Sequence, residues 1–304
     1  MSTRDWFLLG LLSLVWGSGF LFTRIAVRDI PPATLVEIRA AFSAIILLVL
    51  IRARGVPLPA WTWSVWRPFF VMGLLNMALP FTLNGWGLTR IDSSLAGILT
   101  ATVPIFTVAF AHFATDDERF SAAKALGIAL GMAGVVAIVG RNPGALTSGS
   151  GLATLAVLLS SMLYGASGVY GRSLRATPPL VLAWAQMCAS TLLLLPLVVL
   201  VERPWRGAGW GSDAVLSAIV LTLGTVAAYL LYFQILMQAG AVNASLVAYV
   251  IPVIAVLLGT VFLDERLQLQ HIVGMVLIIG GMATLDGRLA RRLSTMRVAK
   301  PGQT

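Results

Sequence analysis

Glu37 and Arg39 form the one charged pair inside a long apolar run of this chain. Ionisable groups are costly in such a run unless they meet a cavity or a partner, so they mark function first. Two residues apart on a helix, the pair points in different directions and makes no simple ion pair. Glu37 is the residue that could carry a coupling proton. Arg39 stands close enough to the end of its run for the guanidinium to snorkel to the surface. Uncharged polar and aromatic groups follow. Asn76, Pro80 and Asn84 are spaced four apart, which places them on one helical face. Tyr229 and Tyr232 align with Phe81 and Asn84 in a second, similar run, and Thr100, Tyr164 and Tyr249 lie inside three others. A cavity lined in this way is mostly apolar, with hydroxyl and amide groups to fix a small polar solute. For each of these residues, hydrogen bonding between helices is the competing reading.

Prolines and glycines add a second pattern. Pro104 and Pro252 fall inside runs, where proline removes a backbone hydrogen bond and kinks the helix. They are candidate hinges, against the plainer reading of packing kinks. Gly127, Gly131 and Gly134, with Gly274, Gly280 and Gly281, are spaced for close helix contact, and a packing role is expected of them. The clusters Asp116-Asp117-Glu118-Arg119 and Asp264-Glu265-Arg266 each precede an apolar run, where carboxylates can cap a helix start. A gate role is the alternative for them.

Enzyme chemistry finds little support. His112 and His271 are the two histidines and lie far apart in sequence, and no HExxH or paired in-run aspartates are there to hold a metal or activate water. The serine of Gly165-Ala166-Ser167-Gly168 has no evident base. No glycine-rich phosphate loop ends in Lys-Ser or Lys-Thr. Cys188 is alone, so no intramolecular disulfide forms. The expectation is a chain without metal, cofactor or catalytic residues.

The elements that position these groups are membrane helices. Of 304 residues, 58% are hydrophobic and 11% charged, and the mean hydropathy is +0.91. Ten apolar runs are read near residues 6–25, 33–51, 68–88, 93–114, 122–140, 151–172, 179–201, 213–237, 243–263 and 271–289. Runs of this length satisfy their backbone internally as helices, whereas barrel strands would be shorter and alternating. The chain also repeats. Trp16-Gly17 and Arg24 recur as Tyr164-Gly165 and Arg172, Pro31-Pro32 as Pro178-Pro179, and Pro104 as Pro252. Glu118-Arg119 recurs as Glu265-Arg266, and Gly127 and Gly134 as Gly274 and Gly281. Arg39 and Glu37 are matched by Gln186 and Trp184. Residues 1–147 and 148–304 are thus read as two five-helix copies, joined by a Pro/Gly/Ser-rich link at 141–151. An odd helix count inverts the second copy in the membrane, an arrangement that usually belongs to transporters with a substrate site between the copies. Ser94 and Ser245 break the register by three residues, so the copies differ at the start of the fourth and ninth runs.

The net charge of +9 does not imply nucleic acid, because the basic residues are spread among loop ends. With a cytoplasmic N-terminus, thirteen Lys and Arg fall inside and seven outside, so both termini are expected in the cytoplasm. Trp61, Trp63 and Trp66 are expected in the inner interfacial belt, and Trp205 and Trp210 in the outer one. The expected partners are the lipid bilayer and a small-molecule substrate, with the chain acting as a monomer.

Four stretches carry a resemblance: WGSGF at 16–20; the proline pair with Arg39 after it; SLAGILTATVPIF at 94–106; and ASLVAYVIPVIAVLLGTVFLDERL at 244–267. They resemble the EamA branch of the drug/metabolite transporter (DMT) superfamily over nearly the whole chain, and within it the YddG-like amino-acid exporters. Glu37 and the DDER form of the first acidic cluster depart from that pattern. The resemblance implies an all-α membrane protein of ten helices in two inverted repeats, with helices one to four and six to nine around a central cavity. It implies export of amino acids, aromatic ones included, or related metabolites across a bacterial inner membrane by alternating access. Carried residue by residue, it points to Trp16, Tyr164, Pro104 and Pro252. Nucleotide-sugars or organic phosphates are the rival substrates, and lipid handling by an enzyme is the rival class.

Overall fold

Apolar runs separated by proline, glycine and charge become helices throughout. The computed structural model describes residues 3–114, 122–139, 149–207, 209–239 and 246–285. The cluster Asp116–Arg119, residues 141–148 of the link, Ser245 and the basic tail from Arg288 lie outside the described residues. In chain order the helices are α1 (Thr3–Ala26), α2 (Pro32–Ala53), α3 (Trp63–Gly73), α4 (Leu79–Leu88), α5 (Ser93–Thr100) and α6 (Val103–Ala114). There follow α7 (Ala122–Val139), α8 (Gly149–Tyr170), α9 (Pro179–Leu197), α10 (Ser212–Ala239), α11 (Val247–Phe262) and α12 (Leu269–Leu285). Both proline pairs sit at helix starts, where a missing N–H is harmless.

Seven stretches are long and apolar enough to cross a membrane: Thr3–Ala26, Pro32–Ala53, Trp63–Leu88, Ser93–Phe113, Gly149–Leu174, Pro179–Arg206 and Ser212–Tyr232. Ala122–Ile138, Val247–Phe262 and Leu269–Leu285 are shorter apolar helices. Large apolar side chains such as Phe7, Val49, Leu216 and Val276 are exposed on the outer surface, as a lipid-facing wall requires.

The Trp63–Leu88 and Ser93–Phe113 stretches are each interrupted near the middle, and proline accounts for both. A π turn at Leu74–Ala78 joins α3 to α4. Pro80 has no N–H to return to the Asn76 carbonyl, so the ladder widens there. The extra residue per turn also breaks the regular face expected of Asn76, Pro80 and Asn84. The second interruption lies at Ala101–Thr102, between α5 and α6. Pro104 is therefore not inside a kinked helix; it is the second residue of a new one, in the first turn where proline is tolerated. Pro252, by contrast, lies within α11.

The two halves of the chain interlock. Helix α1 packs on α10 and α11, α2 on α9 and α10, α3 on α9, α4 on α8, α5 on α11, and α7 on α12. The glycines of the last pair explain its closeness. A Cβ on Gly134 would stand 2.7 Å from the Gly274 carbonyl oxygen, and one on Gly281 would stand 2.6 Å from that of Gly127. Gly131 faces Ile105, while Gly280 meets nothing within 4 Å and takes no part in the seam. Helices α7 and α12 thus tie one half to the other.

The tryptophans divide too. Trp61 and Trp63 are exposed, but Trp66 is 5% exposed and stacks on Trp61 at 4.6 Å, with Trp184 edge-on at 5.8 Å. Burial of its ring makes Trp66 a core residue, not a belt residue. Trp205 and Trp210 are exposed, as belt residues are.

Candidate functional site

Buried polar groups gather where helices of the two halves cross. Arg39, the eighth residue of α2, lies about 10 Å along the axis from the helix start. It does not snorkel: the residue is 8% exposed, and Nη2 donates to Thr225 Oγ1 of α10 at 3.0 Å. The guanidinium carbon lies 4.6 Å from the centre of the Phe81 ring, a cation–π contact from α4. Arg39 Nε has no hydrogen-bond partner. Phe81 in turn meets Tyr164 of α8 edge-to-face at 5.9 Å. The Tyr164 and Tyr229 hydroxyls are within electrostatic reach of the guanidinium.

One turn beyond Thr225 on α10, the cluster continues through Tyr229. Asn76 Nδ2, in the π turn, donates to Gln186 Oε1 of α9 at 3.0 Å and to Tyr229 Oη at 3.1 Å. Ser167 Oγ of α8 donates to Asn76 Oδ1 at 3.1 Å. A π turn widens the backbone and turns one side chain away from the regular face, here the one that reaches three helices of the other half. Gly73 lets α3 approach α9, since a Cβ there would stand 2.9 Å from the Gln186 carbonyl oxygen.

Asn76, Tyr164, Tyr229 and Arg39 are therefore brought together. Asn84 joins them through a side-chain hydrogen bond with Tyr164, while its Oδ1 has no partner. The remaining residues singled out by sequence are not brought in. Trp16 packs against Tyr232 at 5.8 Å, in an apolar cluster of α1, α10 and α11. Thr100 donates its hydroxyl to Ala96 O of its own helix at 2.9 Å. Tyr249 packs with Phe20 and Leu95 against another part of the core. Pro80 is buried at the start of α4. Glu37, two residues from Arg39 and on a different face of α2, is half-buried and leaves Oε2 without a partner. Gln186, Ser167, Thr225 and Phe81 were not singled out as site residues. For Gln186 the signal was present, because it is the sequence match of Arg39.

At one end of the bundle, carboxylates close helix ends against each other. Glu202 accepts from the Ala33 amide at 2.9 Å, the Thr34 amide at 2.6 Å and the Thr34 hydroxyl at 2.7 Å. Glu265 accepts from the Ser93 amide at 2.7 Å, the Ser93 hydroxyl at 2.8 Å and the Ser94 amide at 2.8 Å, and from the Ser94 hydroxyl. It thus caps α5 rather than the helix that follows it. Each carboxylate adjoins a left-handed residue, Arg203 at φ 47° and Asp264 at φ 54°, which turns the chain back across the bundle. Arg24 also donates to the Leu88 carbonyl at the end of α4. Beside Glu265, burial and then the Glu265 charge push the Asp92 carboxyl up, against Arg24 and His271, which pull it down.

No group of His, Cys, Asp and Glu that could hold a metal occurs among the described residues. The arrangement offers amide, hydroxyl and guanidinium groups to a solute, with no nucleophile beside a base.

Comparison with known proteins identifies the class. The EamA-like transporter family matches twice, at residues 5–140 and 151–285. The chain belongs to this family. Like other EamA-like proteins it is a multi-pass membrane protein, and it is a transporter by family. It is 25% identical over 290 residues to Uncharacterized transporter YoaV of Bacillus subtilis, covering 94% of this chain and 98% of that protein. Uncharacterized inner membrane transporter YedA of Escherichia coli is 26% identical over 262 residues, 84% of this chain and 82% of its own. Protein PagO of Salmonella typhimurium is 27% identical over 287 residues, 91% of each. A solved crystal structure shares the fold with a TM-score of 0.68 at 22% identity, over 96% of this chain and 99% of that one.

Proposed function

We propose that this EamA-like transporter exports small neutral metabolites, amino acids foremost, from a bacterial cytoplasm by alternating access. The reading gives it ten helices in two inverted repeats with both termini in the cytoplasm. The observation that carries it is the polar cluster around Arg39 and Asn76, built from α2, the π turn and α4 of the first half and α8, α9 and α10 of the second. A site made of both halves changes shape when they rock, and a solute drives that change only through different affinity for the two states. Glu202 and Glu265 close what this reading makes the outer end, so a solute would enter from the inner side. The break between α5 and α6 and the proline in α11 supply bending points. Without a well-placed acid in the cluster, facilitated diffusion or exchange fits at least as well as proton antiport.

Uptake of labelled phenylalanine and threonine into proteoliposomes, with and without an imposed pH gradient, tests this. Saturable uptake in both conditions is expected. Uptake that requires the gradient would shift the mechanism to coupling through Glu37, and uptake of neither would remove amino acids as the substrate class.

A further inference from the structure

We propose that Arg39 is the docking point for a carboxylate on the transported solute, so that substrates of this chain are carboxylates or zwitterions and not amides, esters or amines. The proposal rests on the transport reading above and names the chemistry its site selects.

A guanidinium carries five N–H donors in a planar fork and stays charged in a protein. At Arg39 the Phe81 ring covers one face and Thr225 takes one donor, which fixes the orientation of the plane. Nε, buried with the rest of the side chain, bonds to nothing. The edge formed by Nε and a neighbouring Nη is one of the two that pair bidentately with a carboxylate. Among the described residues no carboxylate of the protein pairs with it. Glu37 is two residues away on a different face of the same helix.

A purely structural role does not explain the charge. A buried cation without an anion is expensive in a membrane protein. The chain itself shows the cheaper solution: Gln186, at the matched position, accepts from Asn76 of the opposite half with a neutral amide. Joining helices at this level therefore needs no cation, and recognition of an anion does. The anion is a small one. The groups around Arg39 are Thr225, Phe81 and the Tyr164 and Tyr229 hydroxyls, with no second cation among them to match a phosphate dianion. Asn84 on α4 hydrogen-bonds with Tyr164 and keeps Oδ1 as an acceptor without a partner, the kind of group a zwitterion's ammonium would seek.

The test is binding to the purified full-length protein in detergent, read as a ligand-dependent rise in melting temperature. Phenylalanine, threonine and 3-phenylpropionate are compared with their own amides and with phenyl phosphate. The acids are expected to stabilise the protein, the matched amides to have no effect at the same concentration, and phenyl phosphate to bind more weakly. Arg39→Lys keeps a charge but loses the fork and should weaken acid binding about tenfold or more, while Arg39→Gln should abolish the distinction between acid and amide. Amides as effective as acids, an unchanged Arg39→Lys, tighter binding of the phosphate, or no binding of any acid would each overturn the assignment. Acid binding lost in Arg39→Lys, together with liposomes that move no amino acid, would leave Arg39 its role and sink amino-acid export instead. Amino-acid uptake that amides inhibit as well as acids would do the reverse.

Discussion

The seam of α7 and α12 and the cluster around Arg39 both join the two halves of the chain, and they do so by opposite means. In the seam, glycines bring backbones together at distances that leave no room for a Cβ, with apolar side chains filling the edges. Around Arg39, side chains from six segments meet through hydrogen bonds and ring contacts, and several buried polar atoms stay without partners. Full packing is what a fixed joint needs. Unmet hydrogen-bonding capacity in a buried place is destabilising by itself, so it persists where a ligand completes it.

The largest expected effect falls on the seam. Gly134→Leu forces a side chain against the Gly274 carbonyl and Ile278 and should cost about 3 kcal/mol or more, lowering the yield and melting temperature of the inserted protein. Gly280→Leu, with open space around it, should change neither. Equal damage from both would erase the distinction between a packed seam and an ordinary helix surface. Next comes Asn76→Ala, which removes one hydrogen bond from the buried Gln186 amide and one from the Tyr229 hydroxyl, for about 1–3 kcal/mol. Combining it with Gln186→Ala in a double-mutant cycle should show strong non-additivity in thermal stability. Additive losses would mean that the two residues do not act as one unit.

The closed end gives a third contrast. Glu265→Gln removes the charge that four donors of Ser93 and Ser94 share. A cysteine replacing the fully buried Ala96, in a Cys188→Ser background, should then react with a water-soluble maleimide roughly tenfold faster, equivalent to about 1.4 kcal/mol of lost closure. Unchanged labelling would show that the cap is not a latch. The smallest effect is that of pH at Asp92. Its carboxyl is raised in the folded protein, so the folded state holds more protons than the unfolded one. Stability should therefore fall as pH rises from the ordinary aspartate value of 3.8 through the raised one. Melting curves over that range should slope down with pH and flatten in Asp92→Asn. A slope of the other sign would reverse the assignment of burial and Glu265 as the main causes.

Sequence patterns made the seam readable and the cluster only half so. Glycine spacing is a local signal, and five of the six glycines pack as that spacing implies; what it could not tell was which helix each would meet. Asn76, Tyr164 and Tyr229 were visible because polar groups stand out in an apolar run. Arg39 stood out as well, but its depth depends on Phe81 and Thr225, which come from helices 42 and 186 residues further along the chain. Gln186 was visible only as a counterpart of Arg39, and its value lies in the partner it accepts from. The π turn and the broken α5–α6 segment follow from Pro80 and Pro104, yet proline alone does not say whether a helix kinks, widens or stops. Thr100 shows the opposite error: a hydroxyl in an apolar run can be satisfied entirely by its own helix.

The central claim is that the crossing of the halves at Arg39 is where substrate binds. Counterflow of labelled phenylalanine should be measured side by side in liposomes holding equal amounts of the unaltered protein and of Arg39→Lys. The account predicts saturable exchange in the unaltered protein and a clearly raised half-saturation concentration in the variant. Exchange with the same half-saturation concentration in both would place the substrate elsewhere in the molecule.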